Sequence, residues 1–181
     1  TASRFARQPE YISKSAGVVK YDDYLHTVPA EEEGQHLVLK SGGSLAIYDN
    51  LGPDGQELER YKIEVGSVLY VSDEEEVETK QLLVRWDPHS TPILSENAGQ
   101  VQYVDIIEGE TMEVQRTKNR VEKIIKPVSG HERHPQINII DPKTERILEN
   151  HLIPFGAIVE VDDGVKIKSG GRLARTPRKL T

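Results

Sequence analysis

The chain has 181 residues, a formal net charge of −7, 36% hydrophobic and 29% charged residues, and no cysteine. Disulfides, thiolate metal sites and cysteine nucleophiles are thereby excluded, and no apolar run approaches the roughly 20 residues of a membrane span. The balance suits a soluble globular protein with a modest core, one large domain or two small ones, and Thr1 in place of Met reads as a piece of a longer reading frame or a processed product.

Residues 1–14 lack strand alternation and read as a linker, with Pro9 ending any helix there. Short runs rich in β-formers follow: 17–21, 35–40, 44–49, 58–65, 67–71 and 81–86. Turn residues bound them, Asp22-Asp23, Ser41-Gly42-Gly43 and Asn50–Gly55 among them. The runs 44–49 and 58–65 flank Asn50-Leu51-Gly52-Pro53-Asp54-Gly55 and read as a hairpin. No long stretch keeps a 3.6-residue period, so the expected class is mainly β. The stretch Arg85–Gly99, with the only tryptophan (Trp86) and two nearby prolines, reads as a strand end, a rigid connector, a short apolar strand and a turn.

The chain repeats itself. Tyr61–Asp73 aligns without gaps on His151–Asp163, an offset of 90 residues, and the register continues through Val77/Ile167, Leu83/Leu173 and Arg85/Arg175. Upstream, Ala16–Tyr21 aligns on Ala98–Tyr103 with an offset of 82. Two copies of this size imply two small β domains, each with its own core, rather than a solenoid. The expected boundaries are 1–14 for a linker, 15–95 for the first unit and 96–181 for the second, with Pro92–Ser95 completing the first unit or starting the second. Gly66 and Gly156 are expected at a bend or close approach. Val68, Val71, Ile158 and Val161 are expected to face a core.

Chemistry-bearing patterns are weak. Val161–Ala174 resembles the turn of biotinyl- or lipoyl-type β-sandwiches, but no Met-Lys pair stands at its tip; a carrier or ligand-binding sandwich is the alternative reading. His131 and His134 are three apart, but Gly130 and Pro135 argue for a loop, and no third metal ligand is evident. His89 lacks a nucleophile elbow. The acids Glu31–Glu33 and Asp73–Glu76 lack calcium-loop spacing and read as solvated turns. Lys168–Arg172 lacks the order of a phosphate loop.

Charge is segregated. Fifteen acids lie between Asp22 and Glu78, opposed by Lys40, Arg60 and Lys62, whereas no acid follows Asp163. The ends are basic: Arg4 and Arg7 at the start; Arg172, Arg175, Arg178 and Lys179 at the finish. Such ends can face something anionic or an acidic partner surface, or be plain solvated surface.

Trp86-Asp87-Pro88-His89, Pro92-Ile93, Ser95-Glu96, Gly99 and Val101, followed by Asp105-Ile106-Ile107-Glu108-Gly109-Glu110-Thr111, resemble the beta-prime subunit of bacterial DNA-directed RNA polymerase. Asp163-Gly164-Val165, Ile167, Gly170, Leu173-Ala174-Arg175 and Pro177 match the same family, as does Thr1-Ala2-Ser3-Arg4. The resemblance covers essentially the whole chain and is weakest at 22–60 and 113–135. It implies an insertion within the trigger loop, built from two tandem sandwich-barrel hybrid motifs, that modulates trigger-loop folding, nucleotide addition, pausing and transcript cleavage. It implies no active site or cofactor here, because the parent enzyme's nucleotidyltransferase centre and its catalytic Mg²⁺ lie elsewhere. The implied partners are the remainder of the polymerase, namely the trigger helices of beta-prime and the beta subunit, with downstream DNA nearby and no membrane, in the cytoplasm and at the nucleoid. Arg4, Arg7, Arg172, Arg175, Arg178 and Lys179 become the candidate hinge or nucleic-acid-proximal contacts.

Overall fold

A computed structural model describes residues 8–127 and 133–178. All the regular structure among them is antiparallel β, arranged in four sheets that divide between two compact units, Thr1–Pro88 and His89–Thr181.

Unit 1 holds β1 (Glu10–Ile12), β2 (Gly17–Tyr21), β3 (Thr27–Pro29), β4 (His36–Val38), β5 (Gly43–Tyr48), β6 (Glu57–Ile63), β7 (Val68–Leu69), β8 (Glu76–Val77) and β9 (Leu82–Arg85). One sheet runs β1-β9-β7-β4-β3 and the other β6-β5-β2-β8. β5 and β6 form the expected hairpin, pairing Leu45 with Tyr61 and Ile47 with Glu59. Alternation drives the packing: a side chain every second residue points inward. Val19, Val38, Leu45, Ile47, Ile63, Leu69, Val71 and Leu83 are thereby sealed in one core. Trp86 and Tyr61 both pack on Tyr11, with ring centroids 4.7 Å and 4.5 Å away.

Unit 2 holds β10 (Ser90–Leu94), β11 (Gly99–Val104), β12 (Met112–Arg116), β13 (Val121–Ile125), β14 (Gln136–Ile140), β15 (Ile147–Leu152), β16 (Ile158–Val159), β17 (Lys166–Ile167) and β18 (Arg172–Pro177). Its sheets run β10-β18-β16-β13-β12 and β15-β14-β11-β17. Its core includes Val101, Ile125, Ile137, Ile139, Val159 and Leu173.

The two topologies are the same, strand for strand, and the correspondence extends to irregularities. A bulge falls between Tyr11 and Ile12 in β1 and between Ile93 and Leu94 in β10. Another falls between Ile47 and Tyr48 and again between Ile139 and Ile140. Tyr21 donates its hydroxyl to the Val71 carbonyl, and Tyr103 donates to that of Val161. In each unit the first strand pairs with the last. Glu10 lies opposite Arg85, and Ser90 lies opposite Pro177, so each unit is entered and left at one place.

Three expectations change. The segment read as a linker supplies β1, because Glu10–Ile12 completes the sheet beside β9. Its equivalent, β10, pairs with β18, which places Pro92–Ser95 in unit 2. The third change concerns the core. Leu69 and Val159 are the buried residues of β7 and β16, whereas Val68 and Ile158 are only half-buried. Neighbouring strand residues point to opposite faces, so with Leu69 and Val159 inside, Val68 and Ile158 turn away from the core.

Glycine serves two purposes. Gly66 and Gly156 both have φ of 87°. At Gly156 an added Cβ would meet nothing within 4 Å, so backbone conformation rather than space selects glycine there. At Gly17 and Gly99 the reason is close approach: a Cβ would lie 2.3 Å from the Tyr48 carbonyl oxygen and 2.7 Å from that of Ile140.

Candidate functional site

The basic strand β18 and the elements beside it form a densely charged surface of unit 2. Arg175 Nη2 donates to Glu122 on β13 at 3.0 Å, and its Nη1 lies 3.6 Å from Glu160. Arg172 reaches Glu160 at 3.4 Å. Arg178 donates through Nε to the Thr91 hydroxyl at 2.9 Å, and its backbone N–H donates to the His89 carbonyl. Arg4, Arg7 and Lys179 lie outside the described residues. The sheet thus brings Arg172 and Arg175 together around Glu160 and fastens Arg178 to β10.

Arg175 lines an open cleft of about 510 Å³ with Arg120, Glu122, Lys123, Glu160 and Asp162. Lys123 is bonded to Asp162, and this hydrogen bond raises the lysine's pKa above its ordinary value against the opposing effect of burial. Three cations face three carboxylates, so the cleft presents alternating rather than cationic character. A polyanion entering it would have to displace ion pairs already made.

The resemblance-bearing residues prove architectural. The Thr111 hydroxyl accepts from the Ile107 N–H at 2.8 Å and donates to the Asp105 carbonyl at 2.6 Å. The Asp105 carboxylate accepts from the His134 backbone N–H and pairs with Arg133. These bonds close the turn Asp105–Thr111, where Asp105 and Gly109 both have positive φ. His131 and Glu132 lie outside the described residues. Among the described residues, no group of three or more His, Asp or Glu side chains could hold a metal ion.

Two heavily bonded carboxylates that sequence reasoning missed are Glu59 and Glu149. Glu59 accepts from the backbone N–H groups of Lys14 and Ser15 and from the Tyr61 hydroxyl. Glu149 accepts from the backbone N–H groups of Glu96 and Asn97, the Asn97 side-chain amide and His151 Nε2. Burial pushes both carboxyls up, yet the converging donors outweigh it and hold both below the ordinary carboxylate value. Each acid ties the hairpin of its unit to the turn leading into β2 or β11. The available signal was an acid at matched positions, 90 residues apart, in otherwise dissimilar hairpins.

No protein-family model matches the chain. Among curated proteins, it is 41% identical over 99% of its length to the DNA-directed RNA polymerase subunit beta' of Methylacidiphilum infernorum. It is 35% identical over 99% to that of Opitutus terrae, and 34% identical over 98% to that of Shewanella violacea. In each case the chain spans about 13% of the relative's own length. Over almost all its length, this chain is therefore related to one segment of the beta' subunits of DNA-directed RNA polymerase.

Proposed function

We propose that the chain is an insertion module of a beta' subunit, lodged in the trigger loop. There it biases trigger-loop folding and so modulates nucleotide addition, pausing and transcript cleavage. The carrying observation is the pairing of each unit's first strand with its last, Glu10 opposite Arg85 and Ser90 opposite Pro177. A unit entered and left at one place can be spliced into a host loop while leaving the flanking chain close together. Each unit also has a core of its own, so neither needs the host to fold.

On this reading the module adds no chemistry. Nucleotidyl transfer, with its catalytic Mg²⁺, belongs to the parent enzyme. The module acts through contacts that differ between the open and folded states of the loop, since only such differential contacts shift an equilibrium. Its partners are the trigger helices, the rest of beta' and the beta subunit, and the parent enzyme works in the cytoplasm. The basic ends, Arg4 and Arg7 with Arg178 and Lys179, are proposed to face the hinge, and Arg172 and Arg175 to order the last strand leading to it.

Deletion of residues 5–178 from the polymerase tests this. Nucleotide addition should persist, while pause lifetimes and transcript cleavage rates change. Unaltered pausing and cleavage would sink the regulatory role.

A further inference from the structure

Among the described residues, β15 is an edge strand, bonded to β14 on one side only. The Ile153 N–H donates to the Pro135 carbonyl, and Leu152 and Asn150 lie opposite Gln136 and Asn138. Because bonded and non-bonded pairs alternate in an antiparallel ladder, the N–H and C=O of Asn150 and Leu152 turn to the open edge.

Unit 1 carries Arg60 and Lys62 at these two positions, on the edge strand β6. Charged side chains along an edge are a standard defence against unwanted strand pairing. Unit 2 lacks that defence, with Asn150 and Leu152 at the same positions. Leu152 is 70% exposed, and Phe155, where unit 1 has Val65, is 69% exposed. Beside them the sheet's outer face is a chain of amides: Asn150 donates to Asn138 and Gln136, and Asn138 donates to Gln102. These side chains satisfy one another and carry no charge.

We propose that the β15 edge is a docking site for one extended, weakly charged segment of the parent beta' polypeptide, added as a fifth strand. This rests on the insertion reading above. Three features specify the occupant. The free backbone groups call for another backbone, and Leu152 and Phe155 call for apolar side chains at one end of it. The side chains exposed along this edge, Leu148, Asn150 and Leu152, carry no charge, and Glu149 is turned inward, so a charged partner, nucleic acid included, would be desolvated without compensation. Finally, the chain spans only about 13% of its relatives' length, so most of the polypeptide lies outside it. Covalent connection raises the effective concentration of such a segment to roughly millimolar, enough for one strand to suffice.

The test uses the assembled polymerase with a photo-crosslinking residue at position 150, and a control with it at position 60. Position 150 should crosslink to a beta' peptide outside the inserted segment, and position 60 should not. Leu152→Lys, which copies unit 1 and so leaves the fold intact, should lower the crosslink yield about fivefold or more. Crosslinks only to another subunit, only to a second polymerase copy, or to no protein would overturn the proposal. The deletion experiment reads separately. Altered pausing without a crosslink from position 150 defeats the docking alone, and a crosslink with unaltered pausing defeats the regulatory role alone.

Discussion

Unit 1 and unit 2 share every strand, both bulges, the tyrosine hydroxyl bond and the half-buried glutamate, yet they differ at their open edges. β6 shows Glu57, Arg60 and Lys62, and Arg60 is paired with Glu57 at 2.7 Å. β15 shows Ile147, Asn150 and Leu152 in their place. What the fold requires has been kept twice, and what the fold leaves free has diverged. The invariant set therefore reads as architecture, and the divergent edge reads as the place where the units took on separate tasks.

The comparison can be broken most forcefully at the cores. Leu83 and Leu173 are both fully buried at equivalent positions. Leu83→Ala and Leu173→Ala should each cost about 2–5 kcal/mol, confined to its own unit. Hydrogen exchange should show loss of protection in the mutated unit alone; loss in both would mean that the units do not fold independently.

The glutamates come next. Glu149→Gln removes a carboxylate whose side chain is only 6% exposed and should cost about 1–3 kcal/mol at neutral pH. The sign follows from the lowered folded-state pKa. The clamp's contribution is complete above the ordinary carboxylate value of about 4.3 and is lost as pH falls through the lower folded value. Urea melts of the parent protein and Glu149→Gln should therefore differ at pH 7 and converge in acid. Glu59→Gln should behave alike, since Tyr61, whose phenol is pushed up to about 12 by burial and by Glu59, keeps its donor proton throughout this range.

Gly156→Ala should cost about 1 kcal/mol through its positive φ, and Gly66→Ala the same. A difference between them would show that the turns are not equivalent. The smallest effect belongs to Arg175→Gln. Its pairs with Glu122 and Glu160 are partly exposed, so thermal melts should report a loss below about 1 kcal/mol, reduced by salt.

Much of this was legible in the sequence because strands β7 to β9 and β16 to β18 have no length changes between copies, so the 90-residue offset survives intact. The seam at Arg85–Gly99 was visible for the same reason: Trp86 closes one core and His89 opens the next unit. β1 was harder to see. A three-residue strand shows no alternation, and the 82-residue offset, extended upstream by Ser13-x-x-Ala16-Gly17 and Ser95-x-x-Ala98-Gly99, stops at the residue after it. Glu59 and Glu149 were hidden by charge: in an acidic chain, an acid looks like surface until its donors are seen. The arginines of β18 could be listed as basic, but Glu122 on β13 and Glu160 just after β16 reach them only because the sheet order brings those elements alongside. The carboxylates that neutralise the cleft are thus a product of topology rather than of local composition.

The pairing of first strand with last also sets how each unit would bear load. Tension on the two ends of unit 1 pulls Glu10 away from Arg85, and on unit 2 it pulls Ser90 away from Pro177. Such a pull peels the ladder one hydrogen bond at a time instead of shearing all of them together. A host loop that tugs on its insert therefore meets a joint that opens by small successive steps at low force, while the sealed core behind it stays closed.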